Sequence, residues 1–168
     1  MLRRLLVFVM AVVVLVVVNF EIYKKEQLLA EGITVFLELM PRDPRSIMQG
    51  DYMVLRYNIA RNPDLEKVEK DGYIVIKRDE KQVAHFLMIY EGRIPLRANE
   101  TLLRFRKRGG SIRLGAESFL FQEGHAKYYE NARYGELRVT PSGESVLVGL
   151  RDEAFNLLGP PVDKVSTD

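Results

Sequence analysis

Leu5–Val18, LLVFVMAVVVLVVV, is fourteen apolar residues without interruption, and its reading decides the architecture of everything that follows. At about 1.5 Å per helical residue the run covers only ~21 Å, short of the ~30 Å hydrocarbon core of a bilayer. Continuing through Asn19, Phe20, Glu21, Ile22 and Tyr23 brings a helix to roughly 28 Å, with the polar residues at the far interface and the Tyr23 ring as an aromatic anchor. Signal peptidases need small side chains just before the cut, and Val16, Val17, Val18, Asn19 and Phe20 supply none. The run therefore reads as a retained membrane helix, with a cleaved leader and a buried helix of a soluble domain as the alternatives. Arg3 and Arg4 precede it, whereas Lys24 and Lys25 beyond it are offset by Glu21 and Glu26. That bias predicts a single-pass protein of the inner (cytoplasmic) membrane, N-terminus inside, with the rest on the periplasmic or extracytoplasmic side.

The remainder has the length of one domain and enough chain to bury a core. With Arg3 and Arg4 set aside, 23 basic residues face 23 acidic ones, so no global field draws this part to nucleic acid. Cysteine is absent, which removes disulfides, thiolate metal sites and cysteine nucleophiles together. The two histidines, His85 and His125, lie too far apart for a helical zinc spacing. Neither a metal site nor a cofactor is expected.

Turn and period signals divide the chain into a membrane anchor at 1–23, a stem helix at 24–33, a β-rich domain at 34–156 and a flexible tail at 157–168. Lys24 to Gly32 continues the helix until glycine, a usual C-terminal cap residue. Val35, Leu37 and Leu39 alternate with polar and apolar partners until Pro41 stops the strand. Tyr52 to Ile59 reads as a second strand, with Met53, Leu55, Tyr57 and Ile59 on one face. Asn62-Pro63-Asp64 is a capped helix start, in a helix ending near Gly72. Three hairpins follow: around Arg78–Lys81, around Gly109-Gly110, and around Pro141–Glu144. Ala116 to Gln122 reads as a continuation of the sheet, and His125 to Arg133 as a short helix. Together these predict an α+β fold, mainly antiparallel β (a sheet or partly open barrel) with short helices, preceded by one N-terminal transmembrane helix.

Gly50-Asp51-Tyr52-Met53-Val54-Leu55-Arg56-Tyr57 fills every fixed position of a G-D-Y-x-x-L-x-Y signature, and the chain resembles the membrane-anchored bacterial family named for it, GDYXXLXY. Asp43-Pro44-Arg45-Ser46 resembles that family's lead-in, and Gly115–Phe119 with Glu123-Gly124 resembles its second block. The resemblance spans about residues 21 to 151. It implies an anchored, extracytoplasmic domain that assists or contacts a multi-spanning membrane protein, and it implies no particular catalysis. Read physically, Gly50 suits a turn with positive φ, Asp51 caps that turn, and Tyr52 and Tyr57 fall on opposite strand faces, one ring inward and one outward.

Three constellations invite chemistry. The signature resembles the S-M-x-P-x-L-x-x-G-D segment of type I signal peptidases, yet the serine position falls on Arg42 and Pro44 is one residue out of place. Ser46 is then the only nucleophile of interest, and Lys77 and Lys81 flank a turn too exposed to supply a desolvated base. Glu117 and Glu123 share a strand face with Phe119 and Phe121, which suits either a carboxylate pair for envelope hydrolysis or two carboxylates in water. Arg104, Arg106 and Arg108 alternate onto one face within a basic run, Arg93 to Arg113, and that stripe suits an anionic partner or solvent and the acidic stretch Asp64 to Asp71. The leading expectation is a non-enzymatic binding domain whose contact surface is built from Asp43, Arg45, Asp51, Tyr52, Glu117 and Glu123, with residues 5–23 in the lipid bilayer. A scaffold without a ligand is the third reading.

Overall fold

An apolar run that meets no partner within its own chain has to stay helical to satisfy its backbone, and α1 (Leu2–Glu31) does so without a break. The computed structural model describes residues 2–40, 52–92 and 95–161. In it α1 is long and apolar enough to cross a membrane, and its apolar window is exposed throughout, unlike a helix buried in a soluble core. Asn19 hides its amide by donating to the Leu15 carbonyl at 2.8 Å. Just beyond, Lys24 sits 4.5 Å above the Phe20 ring and 3.5 Å from Glu21. Polar groups thus begin where the apolar run ends, the pattern of a helix leaving an apolar phase.

Gly32 ends the helix, its N–H donating to the Leu28 carbonyl. A side chain there would collide with that carbonyl and with Arg138, so glycine lets the helix meet the sheet directly. Arg138 donates to the Gly32 carbonyl at 3.0 Å, and Leu28 is buried. The stem helix is therefore joined to the domain by packing as well as by the chain.

The nine described strands are β1 (Ile33–Glu38), β2 (Tyr52–Val54), β3 (Gly72–Arg78), β4 (Ala84–Ile89), β5 (Glu100–Arg108), β6 (Ser111–Arg113), β7 (Ser118–Leu120), β8 (Tyr134–Val139) and β9 (Ser145–Arg151). They form sheets in the orders β1-β8-β9, β2-β7 and β4-β3-β5-β6, and every strand pair is antiparallel. Isolated bridges from Phe36 to Val83 and from Leu39 to Tyr57 stitch the sheets together, so they wrap one core as a partly open barrel. Val35, Leu37, Ile74, Leu103, Phe105 and Leu137 fill its centre. Ile74, Val75 and Ile76 are buried in succession, which marks β3 as a strand covered on both faces. The β5–β6 hairpin turns on Gly109 and Gly110, both at positive φ as a tight two-residue turn requires.

Five segments differ from the sequence reading. The strand from Tyr52 is assigned only to Val54, and a 3-10 turn, Asn58–Arg61, then closes on the Tyr57 carbonyl. The alternation still holds, with Met53, Leu55 and Tyr57 buried. The helix after Asn62 is the single turn α2 (Pro63–Glu66), capped by the Asn62 side chain as read. Its continuation is replaced by Lys107, whose ammonium donates to the Glu66 and Val68 carbonyls. β7 leaves the β5–β6 sheet and pairs with β2, and the segment after His125 is a 3-10 turn, Ala126–Tyr129, held by Tyr129 packing edge-on against Phe119 at 4.9 Å. Leu157 bridges Arg151 and the Leu158 N–H donates to Leu150, so the chain is still on the sheet where the tail was expected to begin.

Leu103 is fully buried and Leu120 is 76% exposed, although both lie in strands. Leu103→Ala is expected to cost about 2–5 kcal/mol and Leu120→Ala within about 0.5 kcal/mol of nothing. Chemical denaturation of the two variants measures the difference.

Candidate functional site

The signature and the second block are distant in sequence and adjacent in space. Tyr52, Met53 and Val54 pair with Leu120, Phe119 and Ser118, so β2 and β7 form a two-stranded ribbon. The ladder is extended by the Leu55 N–H, which donates to the Glu117 carbonyl at 2.7 Å. Tyr57 completes the junction: its hydroxyl donates to the Ala116 carbonyl at 2.6 Å from a buried position. The ring fits because β8 offers Gly135 beneath it, where a Cβ would stand 3.0 Å from the ring.

Glu117 has a structural task here. Its Oε1 accepts from the backbone N–H groups of both Leu114 and Gly115, holding the bend that brings β7 back to β2. Burial, with the Glu117 carboxylate adding to it, raises the Tyr57 hydroxyl pKa well above the ordinary value of about 10. The hydroxyl therefore stays a neutral donor at physiological pH.

Around this junction the sequence-derived candidates separate. Tyr52 is the outward ring and Tyr57 the inward one, as the strand parity requires. Phe119 and Phe121 cluster with Tyr129, but Glu117 turns onto the backbone and Glu123 is exposed, so the two carboxylates occupy different settings. Asp43, Arg45, Ser46 and Asp51 lie outside the described residues. Among the described residues no group of three His, Cys, Asp or Glu side chains could hold a metal ion.

The basic stripe is also divided. Arg104 meets Glu144 at 2.5 Å, and Arg108 grips Asp71 with two guanidinium nitrogens at 3.0 and 3.2 Å. The Lys107 N–H donates to the same carboxylate and, ahead of the neighbouring arginines, holds the Asp71 pKa below the usual range. Arg106 is exposed and stands directly across the hairpin from Arg113. Among the described residues no carboxylate closes an ion pair with either of them.

Arg113 opens onto a cleft of about 480 Å³ between β6 and the segment from Val54 to Arg61. Arg56 and Arg61 line its other side, and Met40, Val54, Leu55 and Ile112 give it apolar walls. The sequence reading placed Arg56 within the strand from Tyr52 and Arg113 in the basic run, and passed over Arg61. Nothing in the spacing joins the three, since the 3-10 turn and the β5–β6 hairpin bring them together.

Among the described residues, one helix long and apolar enough to span a membrane is followed by an antiparallel β domain that carries the signature ribbon. The chain belongs to the GDYXXLXY family: the family model described as "GDYXXLXY protein" matches residues 14–150. No curated protein and no solved structure matches it.

Tyr57→Phe leaves the buried Ala116 carbonyl without its donor and is expected to cost about 1–3 kcal/mol. A raised pKa in the folded state favours the folded protein fully below the unfolded value, and that advantage is lost as pH rises from about 10 toward the folded value. Thermal melts across the alkaline range should show stability falling above about pH 10, with a shallower fall in Tyr57→Phe.

Proposed function

We propose that the protein is a membrane-anchored binding domain: α1 is held in the inner membrane with its N-terminus inside, and the β domain, on the periplasmic or extracytoplasmic side, docks onto a multi-spanning membrane protein. The observation that carries this reading is the outward face of the β2–β7 ribbon. Tyr52, Val54 and Leu120 stand there side by side, 44%, 59% and 76% exposed. Water-facing apolar residues gathered on a short ribbon are a feature of interaction surfaces. A domain joined by a packed stem to a membrane helix has its neighbours in the bilayer within constant reach. The family resemblance points to the same partner class.

Asp43, Arg45 and Asp51 belong to this contact surface through their place in the chain just before Tyr52, and Glu123 through its exposure after β7. Glu117 supports the surface from behind, as the clamp on the bend at Leu114 and Gly115. Glu117 is so engaged and Glu123 is in solvent, so these two carboxylates occupy different settings.

The absence of cysteine lets a single introduced thiol report sidedness. Lys127→Cys, on an exposed turn, should react with a membrane-impermeant maleimide in intact spheroplasts, whereas Arg4→Cys should react only after permeabilisation; the reverse pattern overturns the proposed sidedness. A photo-crosslinking residue at Leu120 should capture one multi-spanning membrane protein in native membranes, and the same residue at Val148, on β9, should not. Equal capture at both positions, or no membrane-protein adduct at Leu120, removes the ribbon as the docking surface.

A further inference from the structure

The cleft beside the ribbon has the chemistry of an anion site. Three arginines, Arg56, Arg61 and Arg113, are among its lining residues, with two acidic residues, Glu66 and Glu117. Glu117 is turned onto the Leu114 and Gly115 N–H groups, which leaves Glu66 as the lining acidic residue without such a clamp. Among the described residues no acidic side chain closes an ion pair with any of the three arginines.

A second observation is independent of the cleft. Arg106 and Arg113 form a directly opposed cross-strand pair, and like charges so placed destabilise a hairpin. The neighbouring pair on the same face carries Arg108 opposite Ser111, and there the arginine is answered by Asp71. Arg104 and Arg108 are thus answered by Glu144 and Asp71, whereas Arg106 and Arg113 stand opposite each other, and Arg113 lines the cleft. An anion seated at Arg113 would relieve that repulsion.

We propose that this cleft binds a phosphate-bearing ligand with a small apolar body. The guanidinium fork matches phosphate oxygens in paired hydrogen bonds, and three forks suit a dianion better than a lone carboxylate. Met40, Val54, Leu55 and Ile112 supply the wall for the apolar part, and the volume is that of a small-molecule site. The same chemistry is offered by a lipid phosphate headgroup and by a soluble phosphate ester. This inference does not depend on the docking role of the ribbon and stands or falls separately from it.

The test uses the full chain in nanodiscs of phosphatidylcholine, titrated with phenyl phosphate and followed by calorimetry and thermal melting. Saturable binding that raises the melting temperature is expected, with inorganic phosphate and benzoate both weaker. The double variant Arg56→Gln/Arg113→Gln should bind at least about tenfold less tightly, the scale of losing charge-assisted contacts, while Arg97→Gln, on a distant exposed turn, should bind like the native chain. Arg61→Gln alone, on the exposed 3-10 turn, should weaken binding in the same direction and serves if the double variant does not fold. Adding phosphatidic acid to the nanodiscs distinguishes the sources: loss of phenyl phosphate binding assigns the site to a lipid headgroup, and unchanged binding assigns it to a soluble ester. The proposal is overturned if phenyl phosphate does not saturate, or if folded Arg61→Gln and the double variant bind it as tightly as the native chain.

Discussion

The hydrogen bond from the Tyr57 hydroxyl to the Ala116 carbonyl is the constraint on which the signature region depends. It joins residues 59 apart in sequence, in a place where water cannot substitute for either partner. An unmet carbonyl there would cost more than the bond itself contributes, so the geometry is fixed by the penalty for losing it. Gly135 makes room for the ring, the Leu55 N–H reaches Glu117, and β2 meets β7 in a single register as a consequence. Without this bond the end of the signature would lose its buried side-chain tie to the second block.

The same junction explains why the acidic residues of the second block do not behave alike. A carboxylate beside two free backbone donors at a bend is drawn to them, and Glu117 is placed there by the turn at Gly115. That leaves it near the Tyr57 hydroxyl, where it adds to the effect of burial in keeping the phenol protonated. Glu123, beyond β7, is exposed to solvent. Glu117, ahead of β7, is therefore a structural clamp and Glu123, beyond it, a solvated charge, with Phe119 and Phe121, which pack with Tyr129, between them in the chain.

Charge on the β5–β6 hairpin follows a similar division. Arg104 and Arg108 are tied to Glu144 and Asp71, carboxylates supplied by a distant turn and by the segment ahead of β3. Lys107 points the other way and ends α2 by taking the carbonyls that a longer helix would have used. A basic stretch in sequence becomes in space two ion pairs, one helix stop and an opposed pair of arginines.

Much of the fold was legible because it rests on local rules. Fourteen apolar residues demand a helix, Gly32 stops it, three turn signals set three hairpins, and strict alternation from Met53 to Tyr57 assigns the inward ring. These follow from periodicity and from the φ that glycine permits, which each stretch carries within itself. Tertiary structure alone decided that β7 pairs with β2, that Glu117 closes a bend, and that Arg56, Arg61 and Arg113 share a cleft. Those relations depend on strand order and on which donors are left over once the core is filled, and neither quantity is written in any single segment.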